Sequence, residues 1–224
     1  MVDLNEKFLA NALGGIDVEA LAELPKLELR VDTTCHNLQV TGEILSSLEF
    51  LKLNDSIIRS FRDLGTSFAN VRVLHIARCE LKEVRGIQAF EQLEELYISH
   101  NAIELLFDVS FAKHLQVLDF EGNSVRDINE LRYLRRMSKL TDLNLVGNPI
   151  AAKGLAYYQK IQEIVPGLQV LDDEPIGSDD EGMVKFIEGK QREARQQAEE
   201  KKSQGAYDQC HYRQAMQSVL AQFE

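Results

Sequence analysis

One spacing of apolar residues recurs along much of this chain and limits what the chain can fold into. The pattern is Leu-x-x-Leu-x-Leu-x-x-Asn-x-(Leu/Ile/Val), and it returns between residues 24 and 150. Its clearest copies are Leu93, Leu96, Ile98, Asn101 and Ile103; Leu115, Leu118, Phe120, Asn123 and Val125; and Leu140, Leu143, Leu145, Asn148 and Ile150. Looser copies are Leu48, Leu51, Leu53, Ser56 and Ile58; Val71, Leu74, Ile76, Cys79 and Leu81; and Leu24, Leu27, Leu29 and Asp32. One such unit cannot bury its own apolar face, so the units must stack.

A period of about 22–25 residues with this signature is typical of a leucine-rich repeat. The x-Leu-x-Leu-x segment of each unit predicts a short strand with leucines inward and their neighbours outward. We therefore predict an α/β fold, a right-handed leucine-rich-repeat solenoid with a parallel concave β-sheet. The strands should centre near residues 27–29, 51–53, 74–76, 96–98, 118–120 and 143–145.

The segments that follow the strands also carry signals. Asn101, Asn123 and Asn148 should turn the chain and pair with backbone groups of the adjoining repeat, because buried backbone groups need partners. The convex segments 61–64 and 87–90 should form short 3₁₀ or helical turns.

The sequences that flank the repeats predict caps. Residues 1–23 read as a helical N-terminal cap, interrupted at Gly14 and Gly15. After the repeats, Tyr158, Ile161, Ile164 and Val165 share a helical face, Pro166 and Gly167 end the helix, and residues 168–172 start a last strand. The predicted repeat domain with its C-terminal cap spans residues 24–176.

A polar region follows this cap. Residues 177–182 read as an acidic linker, and residues 183–224 as a polar tail that is helical or disordered. An apolar stripe near its end is compatible with docking on the solenoid, with partner binding or with disorder. The stripe consists of Tyr212, Met216, Val219, Leu220 and Phe223.

Composition and local sequence argue against several kinds of protein. The formal net charge of −11 disfavours attraction to nucleic acid phosphates. No run of 18 apolar residues predicts a membrane span, and the first ten residues lack the basic start of a secretory signal. Three cysteines without close pairing fit a reducing compartment.

The sequence carries no recognised motif for catalysis or for binding a metal or cofactor. None of the five histidines has zinc-site spacing, and neither a phosphate-binding GxxxxGK[ST] loop nor a GxSxG elbow occurs. His75 and Cys79 lie four apart on a strand and its turn, where a structural role is favoured over a metal site. We predict a non-enzymatic protein without cofactor or metal.

The outward positions of the predicted strands form the best candidate binding surface. Strand by strand they are Lys26, Glu28 and Arg30; Phe50, Lys52 and Asn54; Val73, His75 and Ala77; Glu95, Tyr97 and Ser99; Val117, Asp119 and Glu121; and Asp142, Asn144 and Val146. The early rows are net basic, the late rows acidic, and the middle apolar or aromatic. This composition is typical of a protein interface, although exposed strands of any such solenoid carry mixed residues.

Several stretches contain residues that the consensus of a leucine-rich repeat does not require. They are Leu51 to Asn54, Arg62 to Ser67, Ala77 to Cys79, Leu96-Tyr97, Leu118 to Val125 and Arg132 to Leu134. In order and spacing they resemble the leucine-rich repeat-containing protein 56 family over roughly residues 30 to 175. The Arg-Asp-Leu-Gly-Thr-Ser segment at 62–67 is the most specific part, because no repeat consensus demands it.

The resemblance implies a function that the spacing alone does not. The family is associated with motile cilia and flagella, where it acts in assembly and delivery of outer-arm dynein in connection with intraflagellar transport. For this chain the resemblance implies a monomeric adaptor in the cytoplasm and the cilium or flagellum. Its expected partners are outer-arm dynein or intraflagellar transport components. Neither nucleic acid nor membrane is expected as a partner. The candidate contacts on the concave face and loops are Lys52, Asn54, Arg62, Asp63, His75, Arg78, Tyr97, Asp119, Glu121 and Asn144.

Other readings stay open. The short repeats and the cap also resemble regulatory scaffolds of protein phosphatases, although this chain has few repeats for such a partner. A spliceosomal RNA–protein scaffold is disfavoured by the net charge and by the lack of exposed basic-aromatic clusters. An unrecognised enzyme is the remaining alternative.

Overall fold

The computed structural model describes residues 2–3, 6–15, 17–176, 188–189 and 192. The chain divides into two units, Met1–Ile176 and Gly177–Glu224. The acidic linker, most of the polar tail and its apolar stripe lie outside the described residues. The fold below is that of the first unit.

The strands of the first unit are β1 (Val2–Asp3), β2 (Lys26–Glu28), β3 (His36–Asn37), β4 (Phe50–Lys52), β5 (Val73–His75), β6 (Glu95–Tyr97), β7 (Val117–Asp119), β8 (Asp142–Asn144), β9 (Val170–Leu171) and β10 (Glu174–Pro175). The α-helices are α1 (Glu6–Ala12), α2 (Gln39–Ile44) and α3 (Leu155–Ile164). The 3₁₀ helices span Val18–Glu23, Phe61–Leu64, Ile87–Ala89, Asp108–Phe111, Ile128–Arg136 and Ala151–Lys153.

The repeats build one sheet in the order β10-β9-β8-β7-β6-β5-β4-β2, parallel from β2 through β9. The central leucine of each strand lies opposite the central leucine of the next. These leucines are Leu27, Leu51, Leu74, Leu96, Leu118, Leu143 and Leu171, and none is more than 2% exposed. The predicted register, with leucines inward, is confirmed.

The strands are shorter than predicted and centre about one residue earlier. Five of them, β4 to β8, are followed by a turn in which the residue four positions after the central leucine lies in the left-handed region. The residues at this position are Asp55, Arg78, His100, Gly122 and Gly147, with φ of 60°, 54°, 54°, 64° and 74°. At Gly122 a side chain would also collide with His100, since an added Cβ would lie 2.5 Å from its Nδ1. The left-handed turn therefore ends these five strands early.

Buried asparagine side chains tie the repeats together. The Asn123 carboxamide accepts a hydrogen bond from Ile103 N at 3.1 Å and donates to Ile98 O and Phe120 O, both at 3.1 Å. Asn148 repeats the arrangement one unit later, accepting from Val125 N and donating to Phe120 O. We call the series formed by Asn101, Asn123 and Asn148 the amide ladder. The predicted pairing of these amides with backbone of the adjoining repeat is confirmed.

The convex side turns as expected. Phe61–Leu64 and Ile87–Ala89 are 3₁₀ helices, as predicted. The ring of Phe90 packs against Phe61 at a centroid distance of 5.7 Å and lies parallel to Phe68 at 6.0 Å. These aromatic side chains fill the space between the sheet and the convex turns.

Both ends of the sheet differ in detail from the prediction. At the C-terminal end α3 stops before Pro166 as expected, but after β9 the chain reverses and adds β10 antiparallel. The buried carboxylate of Asp172 takes the place of a ladder amide, because it accepts from Leu145 N at 2.8 Å and from the Tyr157 hydroxyl at 3.3 Å. At the N-terminal end, β1 and β3 form a separate parallel pair that no periodicity predicts.

Candidate protein-binding face

The outward residues of the sheet lie in two continuous rows, which we call the concave face. Cross-strand pairing places Lys26, Phe50, Val73, Glu95, Val117 and Asp142 side by side in the first row. It places Glu28, Lys52, His75, Tyr97, Asp119 and Asn144 in the second. A third predicted row is partly covered, since Ala77 and Ser99 are only 5% and 9% exposed.

Three rings form the middle of the concave face. His75 and Tyr97 stack with centroids 4.2 Å apart and planes 7° from parallel. Phe50 meets His75 at 5.1 Å, tilted by 40°. The Lys26 ammonium lies 4.4 Å from the centre of the Phe50 ring, a cation–π contact. We call these three rings, Phe50, His75 and Tyr97, the aromatic centre. They are half-buried, and their contacts with one another restrict their motion.

Charge is asymmetric about the aromatic centre. On one side of the aromatic centre the Lys52 ammonium lies 2.7 Å from the Glu28 carboxylate, and both side chains are partly exposed.

The surroundings of the aromatic centre shift the pKa of two of its rings. Burial and, after it, repulsion by Lys52 lower the pKa of His75, which favours the neutral ring. The pKa of Tyr97 is raised to about 12, first by burial and then by the hydrogen bond that its hydroxyl donates to Glu95 at 2.9 Å.

The opposite end of the face is acidic. Burial raises the pKa of Asp142, and the neighbouring carboxylates Asp173 and Asp119 raise it further. Asn144 donates to Asp173 at 3.1 Å and is only 5% exposed. The prediction that Asn144 is an exposed contact is therefore wrong, because a residue of the C-terminal cap covers it.

Four other predicted contacts interact with neighbouring residues of the repeats, two of them with backbone N–H groups. Asn54 accepts a hydrogen bond from Ala77 N at 2.8 Å, and Asp119 accepts one from Glu121 N at 3.1 Å. Both side chains remain partly exposed. The Arg78 guanidinium donates to Asp55 at 3.0 Å, in the turn that follows the strand. The Glu121 carboxylate lies 3.9 Å from the ring of His100.

Arg62 and Asp63 are not brought to the sheet, because they lie in the 3₁₀ helix Phe61–Leu64. Asp63 accepts from Ser60 N at 3.2 Å and Ser60 Oγ accepts from Arg62 N at 3.3 Å, which together cap this helix. Thr66, in the segment that follows, donates its backbone N–H to the side chain of Gln39 on α2 at 2.7 Å. The hydrogen bonds of residues 62–67 thus have a structural role.

Neither a metal site nor a membrane span is found within the described residues. No group of three His, Cys, Asp or Glu side chains there could hold a metal ion, and none of the described helices could cross a membrane. Cys79 is fully buried, with its thiol 3.1 Å from Leu53 O and 3.3 Å from Ala77 O. Burial raises its pKa to about 11, so the thiol stays protonated and structural.

Comparison with known proteins agrees with this fold. A family model described as leucine rich repeat matches residues 91–150. Leucine-rich repeat-containing protein 56 of Mus musculus is 37% identical over 76% of this chain and 34% of the mouse protein. The homologue of that protein in Trypanosoma brucei brucei is 39% identical over 60% of this chain and 21% of its own length. This chain belongs to the leucine-rich repeat-containing protein 56 family.

The match covers only part of those relatives, since the chain spans about a third or less of their length. A solved leucine-rich repeat protein of Leptospira interrogans covers 69% of this chain and 39% of its own, with a TM-score of 0.52 and 21% identity. That likeness shows the fold alone. A leucine-rich repeat fold is typically a protein-binding scaffold.

Seven residues of the concave face were outward in the predicted pattern but not among the predicted contacts. They are Lys26, Glu28, Phe50, Val73, Glu95, Val117 and Asp142. Strand alternation places each on the outer side, but only the register between strands shows which side chains touch. The contact of Lys26 with Phe50 and that of Glu95 with Tyr97 add Lys26, Phe50 and Glu95 to the candidate site.

Proposed function

We propose that this chain is a non-enzymatic adaptor that binds a protein partner on its concave face. We further propose that it acts in the cytoplasm and in the cilium or flagellum, in the assembly or intraflagellar transport of outer dynein arms. The second part rests on what family resemblance implies for ciliated organisms. The first part rests on the geometry of the face.

The observation that carries the binding proposal is the aromatic centre between ends of opposite charge. Rings that already stack on one another lose little conformational freedom when a partner covers them. Tyr97 and its neighbours offer the rigid, amphipathic surface that dominates binding energy at protein interfaces. Lys26 and Lys52 at one end and Asp119 and Asp142 at the other would fix the orientation of the partner.

Binding on this face is tested with the double variant Tyr97→Ala/Lys52→Glu. We expect it to lose partner capture, since it removes a ring from the aromatic centre and reverses one charge. The measurement is a quantitative pull-down from extracts of flagellated cells. Lys153→Glu, an exposed charge reversal on the 3₁₀ helix Ala151–Lys153 outside the sheet, is the matched control. Recovery of the same partners by the double variant would place the contact surface elsewhere.

The dynein role needs a separate test in cells. Deletion of the gene in a flagellated cell should shorten or remove outer arms, as seen by electron microscopy of axonemes, and slow the beat. Wild-type protein and Lys153→Glu should restore the arms, whereas Tyr97→Ala/Lys52→Glu should not. Normal arms after deletion would refute the dynein role while leaving protein binding intact. Co-purification of a phosphatase catalytic subunit would then favour the phosphatase-scaffold reading.

A further inference from the structure

Exposed apolar side chains also cluster away from the concave face. Among the described residues four large hydrophobic side chains are exposed, and two of these are Leu105 and Phe107, at 59% and 40%. The Phe107 ring meets Phe111 at 5.3 Å and Tyr133 at 5.1 Å, both edge to face. We call Leu105, Phe107, Phe111 and Tyr133 the lateral patch. It lies on the segment between β6 and β7 and on the 3₁₀ helix Ile128–Arg136, outside the sheet.

Two side-chain hydrogen bonds fix the backbone that carries Leu105 and Phe107. Leu106 is fully buried, so the residues on either side of it are directed outward. The carboxylate of Glu130, only 9% exposed, accepts a hydrogen bond from Leu106 N at 3.0 Å. Ser110 Oγ donates to Phe107 O at 2.7 Å. A buried carboxylate and a hydroxyl thus fix the backbone that presents two exposed apolar side chains, which is the preorganisation that favours binding.

Arginines border the patch. The 3₁₀ helix Ile128–Arg136 repeats every three residues, which aligns Arg132 with Arg135 and Tyr133 with Arg136. The Arg132 guanidinium lies 4.8 Å from the centre of the Tyr133 ring and donates to its hydroxyl at 2.8 Å. All three arginines are exposed, and none forms an ion pair with another described residue. Three exposed arginines thus lie beside an apolar surface in a chain whose net charge is −11. The hydrogen bond to Tyr133 raises the pKa of Arg132, and the carboxylates of Glu130 and Asp127 lie near enough to raise it further.

We infer that the lateral patch is a second docking surface, which takes an acidic segment with apolar side chains from a partner protein. The apolar side chains of that segment would cover Leu105 and Phe107, while its carboxylates would pair with Arg132 and Arg136. Nucleic acid fits less well, because Leu105, the most exposed side chain of the patch at 59%, is aliphatic and offers no ring on which a base could stack. The patch shares none of these residues with the concave face.

The test uses the full chain and three fluorescent probes of equal length, measured by fluorescence anisotropy. The first is a peptide of about 15 residues made of Glu, Asp, Leu and Phe with its apolar residues at helical spacing. The second replaces every acid by lysine, and the third is oligouridine. We expect only the acidic peptide to bind. Phe107→Ser and the double variant Arg132→Glu/Arg136→Glu should each weaken it by about tenfold or more.

Controls separate this surface from the concave face and from loss of fold. The double reversal Arg59→Glu/Lys153→Glu changes the same number of exposed charges elsewhere and should leave the affinity unchanged. Tyr97→Ala/Lys52→Glu should also leave it unchanged, and all variants should melt as the wild type does. The inference is overturned if no probe binds, if oligouridine or the basic peptide binds as well, or if only the concave double variant weakens the acidic peptide.

Discussion

Replacing Asn123 by alanine removes one rung of the amide ladder. The side chain is 5% exposed and bonds backbone groups of its own repeat and of the preceding one. Two of its carbonyl partners keep a second donor, because Ile98 O also accepts from Asn101 at 2.9 Å and Phe120 O from Asn148 at 2.8 Å. The Ile103 amide loses the acceptor that Asn123 supplies.

The magnitude follows from this count. A buried N–H group without an acceptor costs about 1–3 kcal/mol, and loss of the weaker share at each carbonyl adds about 0.5 kcal/mol. We expect the free energy of unfolding to fall by about 2–4 kcal/mol. For a domain of this size that corresponds to a melting temperature lower by about 5–15 °C.

The assay is urea and thermal denaturation followed by circular dichroism. Asn129→Ala, an exposed asparagine whose amide bonds only Asp127, is the matched control and should change stability by less than about 0.5 kcal/mol. Asn123→Ser should lose less than the alanine variant, because Ser56 fills the corresponding position of an earlier repeat and accepts from Val31 N at 3.0 Å. An alanine variant that unfolds at the same urea concentration as the wild type would refute the reasoning.

Two further predictions concern buried ionisable groups. The pKa of Cys79 is about 11 in the folded chain, above that of an unfolded thiol, so its stabilising contribution is lost as pH rises from about 9 to 11. The stability advantage of wild type over Cys79→Ala should thus shrink by about 2–3 kcal/mol across that range in urea titrations with reductant; a constant difference would contradict it. Asp172→Ala should cost about 1–3 kcal/mol in the same assay by leaving Leu145 N unpaired, whereas Asp172→Asn keeps an acceptor and should cost less.

Much of the fold could be predicted because one period specifies it. The central leucines, the ladder amides and the short convex turns each recur at fixed offsets, and the structure places them as predicted. The elements that were not predicted have no period. β10 has two residues and pairs with β9 only because the chain turns back at Asp172 and Asp173, both with positive φ. β1 pairs with β3 across more than thirty residues, which no local signal encodes.

The candidate site was predictable to a lesser degree. Alternation along a strand identifies which side chains point outward, and it correctly placed Lys52, His75 and Tyr97 on one face. It does not show what covers them, and so it failed at Asn144, where Asp173 arrives from 29 residues later. The lateral patch was missed for a related reason. Arg132, Tyr133, Arg135 and Arg136 are neighbours in the sequence, but Phe107 joins them only through packing of two 3₁₀ helices, so no local pattern shows the patch.

The spacing of the strands sets the distance between the two charged ends of the concave face. In the described region seven parallel strands, β2 and β4 through β9, are stacked at about 4.8 Å each. Lys26 on β2 and Asp142 on β8 are therefore about 24 Å apart along the sheet, five strand spacings. A ligand that meets both charges must carry its acid and its base at that separation. This distance equals about 16 residues of α-helix or about seven of extended chain, which gives a criterion for recognising partner segments from their sequences.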